Sequence, residues 1–209
     1  GLLNAKAKGM APRYAICYAY IEWLFTQIGW KSRRYSDCWI SKIPELNKRR
    51  APGNTCITSL NEILAGREPN NNSKGCGGVM RTAPVALYGA VWRNSAEGEV
   101  PVGRISNIQD VDRLAAEAAE ITHQHPLGWL PSALEAHVIY RLVQAEAPTV
   151  EDFKKYLAEG YETLNMLYPK QQENIGYLKS LTDMALVLVG ATTSDVENME
   201  KIGGGWVGE

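Results

Sequence analysis

The stretch Asn70-Asn71-Asn72-Ser73-Lys74-Gly75-Cys76-Gly77-Gly78-Val79-Met80-Arg81-Thr82-Ala83-Pro84-Val85-Ala86-Leu87 organises the chain. Gly75, Gly77 and Gly78 fall within four positions, and glycine gives the backbone free φ choice and close approach to a ligand. Such a loop can wrap an anion or serve as a plain connection, and residue types alone leave both readings open. Val79, Met80, Ala83, Val85, Ala86 and Leu87 then form an apolar run. That run predicts a loop feeding straight into a buried helix whose N-terminus favours phosphate. No Gly-Lys-Ser/Thr follows four residues after a glycine, which excludes a Walker loop. No strand precedes the glycines, which excludes a dinucleotide fingerprint.

Upstream, residues 12–28 read as a helix. Pro12 suits its first turn, Ile16, Tyr20, Trp23, Leu24 and Ile28 recur at three- and four-residue intervals, and Gly29 suits its end. Residues 30–54 lose that period and read as a long irregular excursion with one short helix at 41–47, a length uncommon unless the loop lines something. Thr55 reads as the N-cap of a helix carrying Cys56, Ile57, Leu60, Ile63 and Leu64, closed by Gly66 and Pro69.

Downstream, the signature helix runs to about Val91 and residues 94–107 read as a surface loop. Asp110 reads as the N-cap of an alanine-rich helix ending near Thr122-His123. Ser132-Ala133-Leu134-Glu135 has the form of a capping box and predicts the start of the next helix. Thr149 caps another, with Phe153, Leu157, Tyr161, Leu164 and Leu167 on one face. A further helix is expected over 177–189 and one more after Ser194. Nothing alternates with period two. The fold class is all-α, a compact multi-helix bundle of about seven helices, and residues 1–209 read as a single domain without internal repeats.

The 209 residues are 45% apolar and 22% charged, the composition of an ordinary globular domain. A net charge of −1 gives no electrostatic case for nucleic acid or an anionic membrane. No apolar run approaches the roughly 20 residues of a membrane span, and the start carries no signal-like apolar segment. Cys17, Cys38, Cys56 and Cys76 never form Cys-x-x-Cys, so reduced thiols and a cytoplasmic location are expected. By residue type Cys76 reads as a small packing residue.

Lys74-Gly75-Cys76-Gly77-Gly78-Val79-Met80-Arg81-Thr82-Ala83-Pro84 resembles the signature of the ADP-ribosylglycohydrolase family, a Gly-rich turn ending in Met-Arg with a following Ala-Pro. Arg50-Ala51-Pro52-Gly53-Asn54-Thr55-Cys56 and Ile121-Thr122-His123 resemble two further family segments. The resemblance implies an orthogonal helical bundle and a hydrolase that removes ADP-ribose from modified protein side chains, at an N- or O-glycosidic bond, using two Mg²⁺ ions. It implies ADP-ribose or an ADP-ribosylated protein as partner, with no nucleic acid and no membrane. The acceptor side chain, arginine, serine or another, stays open. The turn lies against ADP-ribose in the family, and the histidine of the Thr-His segment contacts the ribose region. Carried over, substrate contact falls to Asn72, Ser73, Lys74, Gly75, Cys76, Gly77, Met80, Arg81 and His123. Arg81 reads equally well as a structural tie between the turn and a helix.

The family's metal ligands sit in a Thr-Asp-Asp segment and an Asp-x-Asp-Ser/Thr segment, and neither occurs here. Gly1-Leu2-Leu3 looks like the sequence after the first, and Gly205-Trp206 like the approach to the second. The expectation is therefore a central piece, truncated at both ends and inactive by itself. The alternative is a non-catalytic ADP-ribose or nucleotide-binding module. Asp110-Val111-Asp112, the only Asp-x-Asp, reads as helix capping, and His137 reads as packed or surface-exposed.

Overall fold

The computed structural model describes residues 1–29, 43–93, 105–191 and 195–203. Among the described residues nine α-helices follow one another with no strand: α1 Leu2–Lys8, α2 Pro12–Ile28, α3 Asn54–Leu64, α4 Ala83–Arg93, α5 Ile108–Glu120, α6 Pro126–Gln144, α7 Val150–Leu167, α8 Gln172–Leu188 and α9 Asp195–Ile202. The all-α expectation holds, and α1 is a helix the periodicity does not mark. Within the excursion, a 3₁₀ turn at Pro44–Leu46 falls where a short helix is expected. Residues 30–42 and 94–104, with Trp30, Cys38 and Trp39, and also Trp206, lie outside the described residues.

Where local chemistry is unambiguous, the helix ends fall as read. Pro12 opens α2, and Gly29 closes it at φ 73°, a backbone region that favours glycine, with its N–H bonded to the Phe25 carbonyl. Thr149 and Asp152 form a reciprocal capping box at the start of α7.

Three starts fall elsewhere. Gly53 caps α3, which begins at Asn54, and the Thr55 hydroxyl instead lies 3.3 Å from the Ser73 hydroxyl. Asn107 caps α5. Asp110 sits three residues inside, donating its amide to the Asn107 side chain while its carboxylate accepts from the Ser106 amide. The Ser132 capping box does not exist, because α6 starts at Pro126 and runs on through Pro131. Ser132 is wholly buried there, and the Glu135 carboxylate bonds the Thr82 hydroxyl on the facing segment.

Two apolar cores share α5 and α6. The first gathers Leu24 and Phe25 of α2, Leu60 of α3, Val85 and Ala86 of α4, and Val111, Leu114 and Ala118 of α5. The second gathers Ala116 and Ala119 of α5, Trp129, Leu130 and Leu134 of α6, Leu157 and Leu164 of α7, and Ile175 of α8. Alanines on both faces of α5 let its neighbours approach closely, which is why a helix with so few large side chains can sit between two cores. α6 buries ten of its nineteen residues, whereas α8 buries only Ile175. At roughly 1.5–3 kcal/mol per large apolar side chain buried, α6 is the element whose loss would cost most. No helix among the described residues is long and apolar enough to cross a membrane.

Candidate functional site: a glycine turn clasped to a helix junction

The five residues 121–125 between α5 and α6 form the seat on which the segment 69–78 rests. Asn71 makes the clasp. Its side-chain amide donates to the Thr122 carbonyl at 3.1 Å and the Ser59 hydroxyl at 3.2 Å, and its side-chain oxygen accepts from the Ser73 amide at 3.1 Å and the Gln124 amide at 3.3 Å. Gln124 answers, accepting from the Asn71 amide at 2.9 Å and donating to the Pro69 carbonyl at 2.7 Å. Ser59, from α3, also donates to the Thr122 carbonyl at 3.1 Å. Each bond contributes only about 1 kcal/mol net, but buried groups left unpaired cost more than that, so the set holds or fails together.

Glycine is needed here for contact rather than for torsion. None of Gly75, Gly77 and Gly78 has positive φ, so the φ-freedom argument does not apply to them. A Cβ on Gly78 would lie 2.7 Å from the Gly128 carbonyl oxygen and 2.8 Å from Ala119 Cβ. One on Gly77 would lie 2.8 Å from His123 Cε1, and one on Gly128 would lie 2.6 Å from the Ser73 carbonyl oxygen. The turn and the junction meet backbone to backbone. The turn also does not run directly into α4: a 3₁₀ turn at Val79–Arg81 intervenes, so no α-helix N-terminus opens on the glycines.

Beneath the turn lies a polar chain. Arg81 donates to the Thr122 hydroxyl and, at 3.5 Å, to Cys56 Sγ, and its guanidinium lies 4.2 Å from the centre of the Tyr20 ring. Thr122 Oγ1 is 2.8 Å from His123 Nδ1. His123 is 3% exposed. Burial, aided by the Arg81 charge, pulls its pKa from 6.5 down to about 4. At neutral pH the ring is uncharged. The Thr122 hydroxyl also lies 3.4 Å from the Ala119 carbonyl, to which it donates, and His123 Nε2 lies beside Gly77. Burial also pushes the Tyr20 phenol up, with Arg81 opposing.

The site residues named from sequence do gather, in two layers. Asn72, Lys74, Cys76 and Met80 are exposed, whereas Gly75, Arg81 and His123 sit against or beneath the seam. The exposure of Cys76 corrects its reading as a packing residue; its neighbours Gly75 and Gly78 are the buried ones. Gly75 donates to the Ser73 hydroxyl at 3.3 Å, while the amides of Cys76 and Gly77 have no acceptor among the described residues. His125 caps α6 by accepting the Leu127 amide at 3.0 Å, and burial followed by the nearby Lys74 charge lowers its pKa.

Asp112 is not a cap. It is buried on α5, with Oδ2 2.8 Å from His137 Nδ1 on α6, and burial raises its pKa against the pull of that partner. Sequence reading missed Asn71, Ser59, Gln124 and the Thr82–Glu135 bond. A polar run such as 70–72 preceding glycines is a signal, but the partners lie 12 to 53 residues away.

The family model described as ADP-ribosylglycohydrolase matches residues 1–209. The chain belongs to the ADP-ribosylglycohydrolase family. Its members are hydrolases acting on ADP-ribosylated substrates. No curated protein and no solved structure matches the chain. The clasped turn and the seat beneath it are the two stretches whose sequences resemble the family's Gly-rich and Thr-His segments.

The residues described do not fit a pair of Mg²⁺ ions. Among them no three His, Cys, Asp or Glu side chains gather as a metal-binding group. Asp112 is committed to His137, and Asp110 to the Ser106 amide and Arg113. Magnesium prefers carboxylate oxygens together with water, and among the described residues no such group gathers at the turn.

Proposed function

We propose that the turn 72–77 holds the ADP-ribose portion of an ADP-ribosylated protein side chain, in a hydrolase that cleaves the glycosidic bond to that side chain. One observation carries the reading: the Cys76 and Gly77 amides lack acceptors among the described residues, in a turn that exposes Cys76 and is clasped to the α5–α6 junction. Amides fixed in this way meet a diphosphate without a reorganisation cost, and the Lys74 ammonium adds charge beside them. Asn72 and Ser73 offer side-chain bonds to ribose hydroxyls, and Met80, 75% exposed, offers an apolar face. Gly75, Arg81 and His123 act from below: they fix the turn, and His123 stays neutral, so no charge opposes Arg81 or draws the ligand away from the amides. Because the described residues bring no metal-binding group together, we assign these residues binding and positioning alone. The hydrolytic step belongs to Mg²⁺ ligands outside them.

Three free thiols among the described residues support a reducing compartment such as the cytoplasm.

Calorimetry with ADP-ribose tests the binding role. Lys74→Ala, an exposed change, is expected to weaken binding by about tenfold, the loss of one charge-assisted contact. Equal affinity in the variant, with an unchanged unfolding transition, would overturn the assignment. The 209 residues alone, given Mg²⁺ and ADP-ribosylated protein, are expected to release no ADP-ribose. Measured release would overturn the placement of the metal ligands elsewhere. Micromolar ADP-ribose binding without release from a longer chain would favour the non-catalytic module.

A further inference from the structure

His125 caps α6 through one ring nitrogen and leaves the other open. Its Nδ1 accepts the Leu127 amide at 3.0 Å. A backbone N–H can only donate, so Nδ1 carries a lone pair and the neutral ring keeps its proton on Nε2. That Nε2–H has no acceptor among the described residues, and it is open to solvent rather than sealed in the interior. Serine, aspartate and asparagine are the usual caps at such a position, and none of them carries a donor out to the far edge of a ring.

The chain on either side of the ring is clasped to the turn. Gln124, the residue before it, bonds the Asn71 amide and the Pro69 carbonyl. Gly128, three residues after it, donates to the His125 carbonyl at 2.7 Å, and a Cβ on Gly128 would lie 2.6 Å from the Ser73 carbonyl oxygen. His125 is therefore fixed next to the end of the turn that carries Ser73 and Lys74. After burial, the Lys74 ammonium is the charge that bears on the ring, and no carboxylate among the described residues offsets it. The surroundings keep the ring uncharged at neutral pH and suit an anionic acceptor. The Cys76 and Gly77 amides, also without acceptors among the described residues, are donors of the same kind.

We propose that His125 is a further ligand contact of this site: its Nε2–H donates to a phosphate oxygen of the diphosphate, on the Lys74 side of the turn. The assignment rests on the reading that residues 72–77 hold ADP-ribose. It gives the ring a selective task, because a ligand with phosphates gains this hydrogen bond and a bare nucleoside does not.

The test follows the ¹⁵N resonances of the His125 ring while the chain is titrated with ADP-ribose and with adenosine, and measures ADP-ribose affinity by calorimetry in the parent and two variants. ADP-ribose is expected to shift Nε2 saturably, and adenosine to leave it unmoved. His125→Asn keeps a side-chain oxygen for the Leu127 amide and loses the far donor, so it should bind ADP-ribose about tenfold more weakly with an unchanged unfolding midpoint. His125→Ala loses both, and its midpoint should fall as well. If His125 acted only as a cap, His125→Asn would bind like the parent. That result, an unmoved Nε2, or an equal response to adenosine would overturn the role of His125 while ADP-ribose binding by the parent left the reading of the turn standing. A parent chain that binds no ADP-ribose would overturn both.

Discussion

His123 and His137 are buried to the same 3% and sit at opposite ends of the α5–α6 pair, yet their surroundings oppose each other. His123 lies near a guanidinium and takes a hydroxyl as its partner, under backbone that glycine allows to come close. His137 faces a carboxylate across two helices and borders a cavity. Burial alone therefore says little about what a histidine does; the sign of the nearest charge and the room beside the ring decide it. One seam is sealed by main chain and hydroxyls, the other by a buried acid and base with space left over.

The sharpest way to break that contrast is His137→Ala. It leaves the Asp112 carboxylate buried with no partner, and a loss of about 3–5 kcal/mol is expected in denaturant unfolding, as for other broken buried pairs. A loss below about 1 kcal/mol would mean that water from the cavity already solvates the acid, and the two seams would be alike.

Glycines compare the packing of the seams directly. In Gly78→Ala the new Cβ meets the Gly128 carbonyl oxygen at 2.7 Å, an atom that cannot turn aside, and a cost of about 1–3 kcal/mol is expected. In Gly160→Ala the nearest atom, at 2.7 Å, is Leu134 Cδ1, the tip of a flexible side chain. The cost there should fall below about 1 kcal/mol, offset in part by better helix propensity. Equal costs would show that the glycine seam is no more rigid than its counterpart.

Acid titration isolates His123. Its folded pKa of about 4 lies below the ordinary 6.5, so the unfolded chain takes up a proton that the folded one refuses. The stability this residue contributes is complete above pH 6.5 and drains away as the pH falls toward 4. Unfolding midpoints of the parent and of His123→Asn should converge over that window. Parallel curves would mean that the ring is not held neutral by its surroundings.

The smallest effect has the opposite sign. Gly176, in α8, has nothing within 4 Å of a built Cβ. Gly176→Ala is therefore expected to raise stability by about 0.5–1 kcal/mol in the same unfolding assay. A loss instead would show that α8, which buries only Ile175, is more tightly seated than its burial suggests.

Sequence reading succeeded where a residue's neighbours along the chain decide its state. The α2 stripe closing on Gly29 and the Thr149–Asp152 box depend on partners within a few positions. It failed where a distant partner overrides a local pattern. Ser132 and Glu135 have the spacing of a cap, but Glu135 is taken by Thr82, 53 residues away, and an earlier proline already starts the helix. Asp112 reads as a capping group and His137 as packed or surface-exposed; His137 is packed, and what no local window shows is its pairing with Asp112, 25 residues away. The signature turn was legible because its three glycines fall within four positions, yet the reason for them was not. Their role is close contact with Gly128 and His123, residues that no local window includes.

α6 touches both seams, with Gly128 at one end under the turn and Arg141 near the other beside the cavity. Thirteen residues of helix make a strut of about 20 Å between them, at about 100° of rotation per residue. Inserting a single residue near Leu134 would swing one end by more than a quarter circle against the other. Neither the glycine contact nor the Asp112 pairing could then form while the other was kept, so this helix tolerates substitution far better than any change of length.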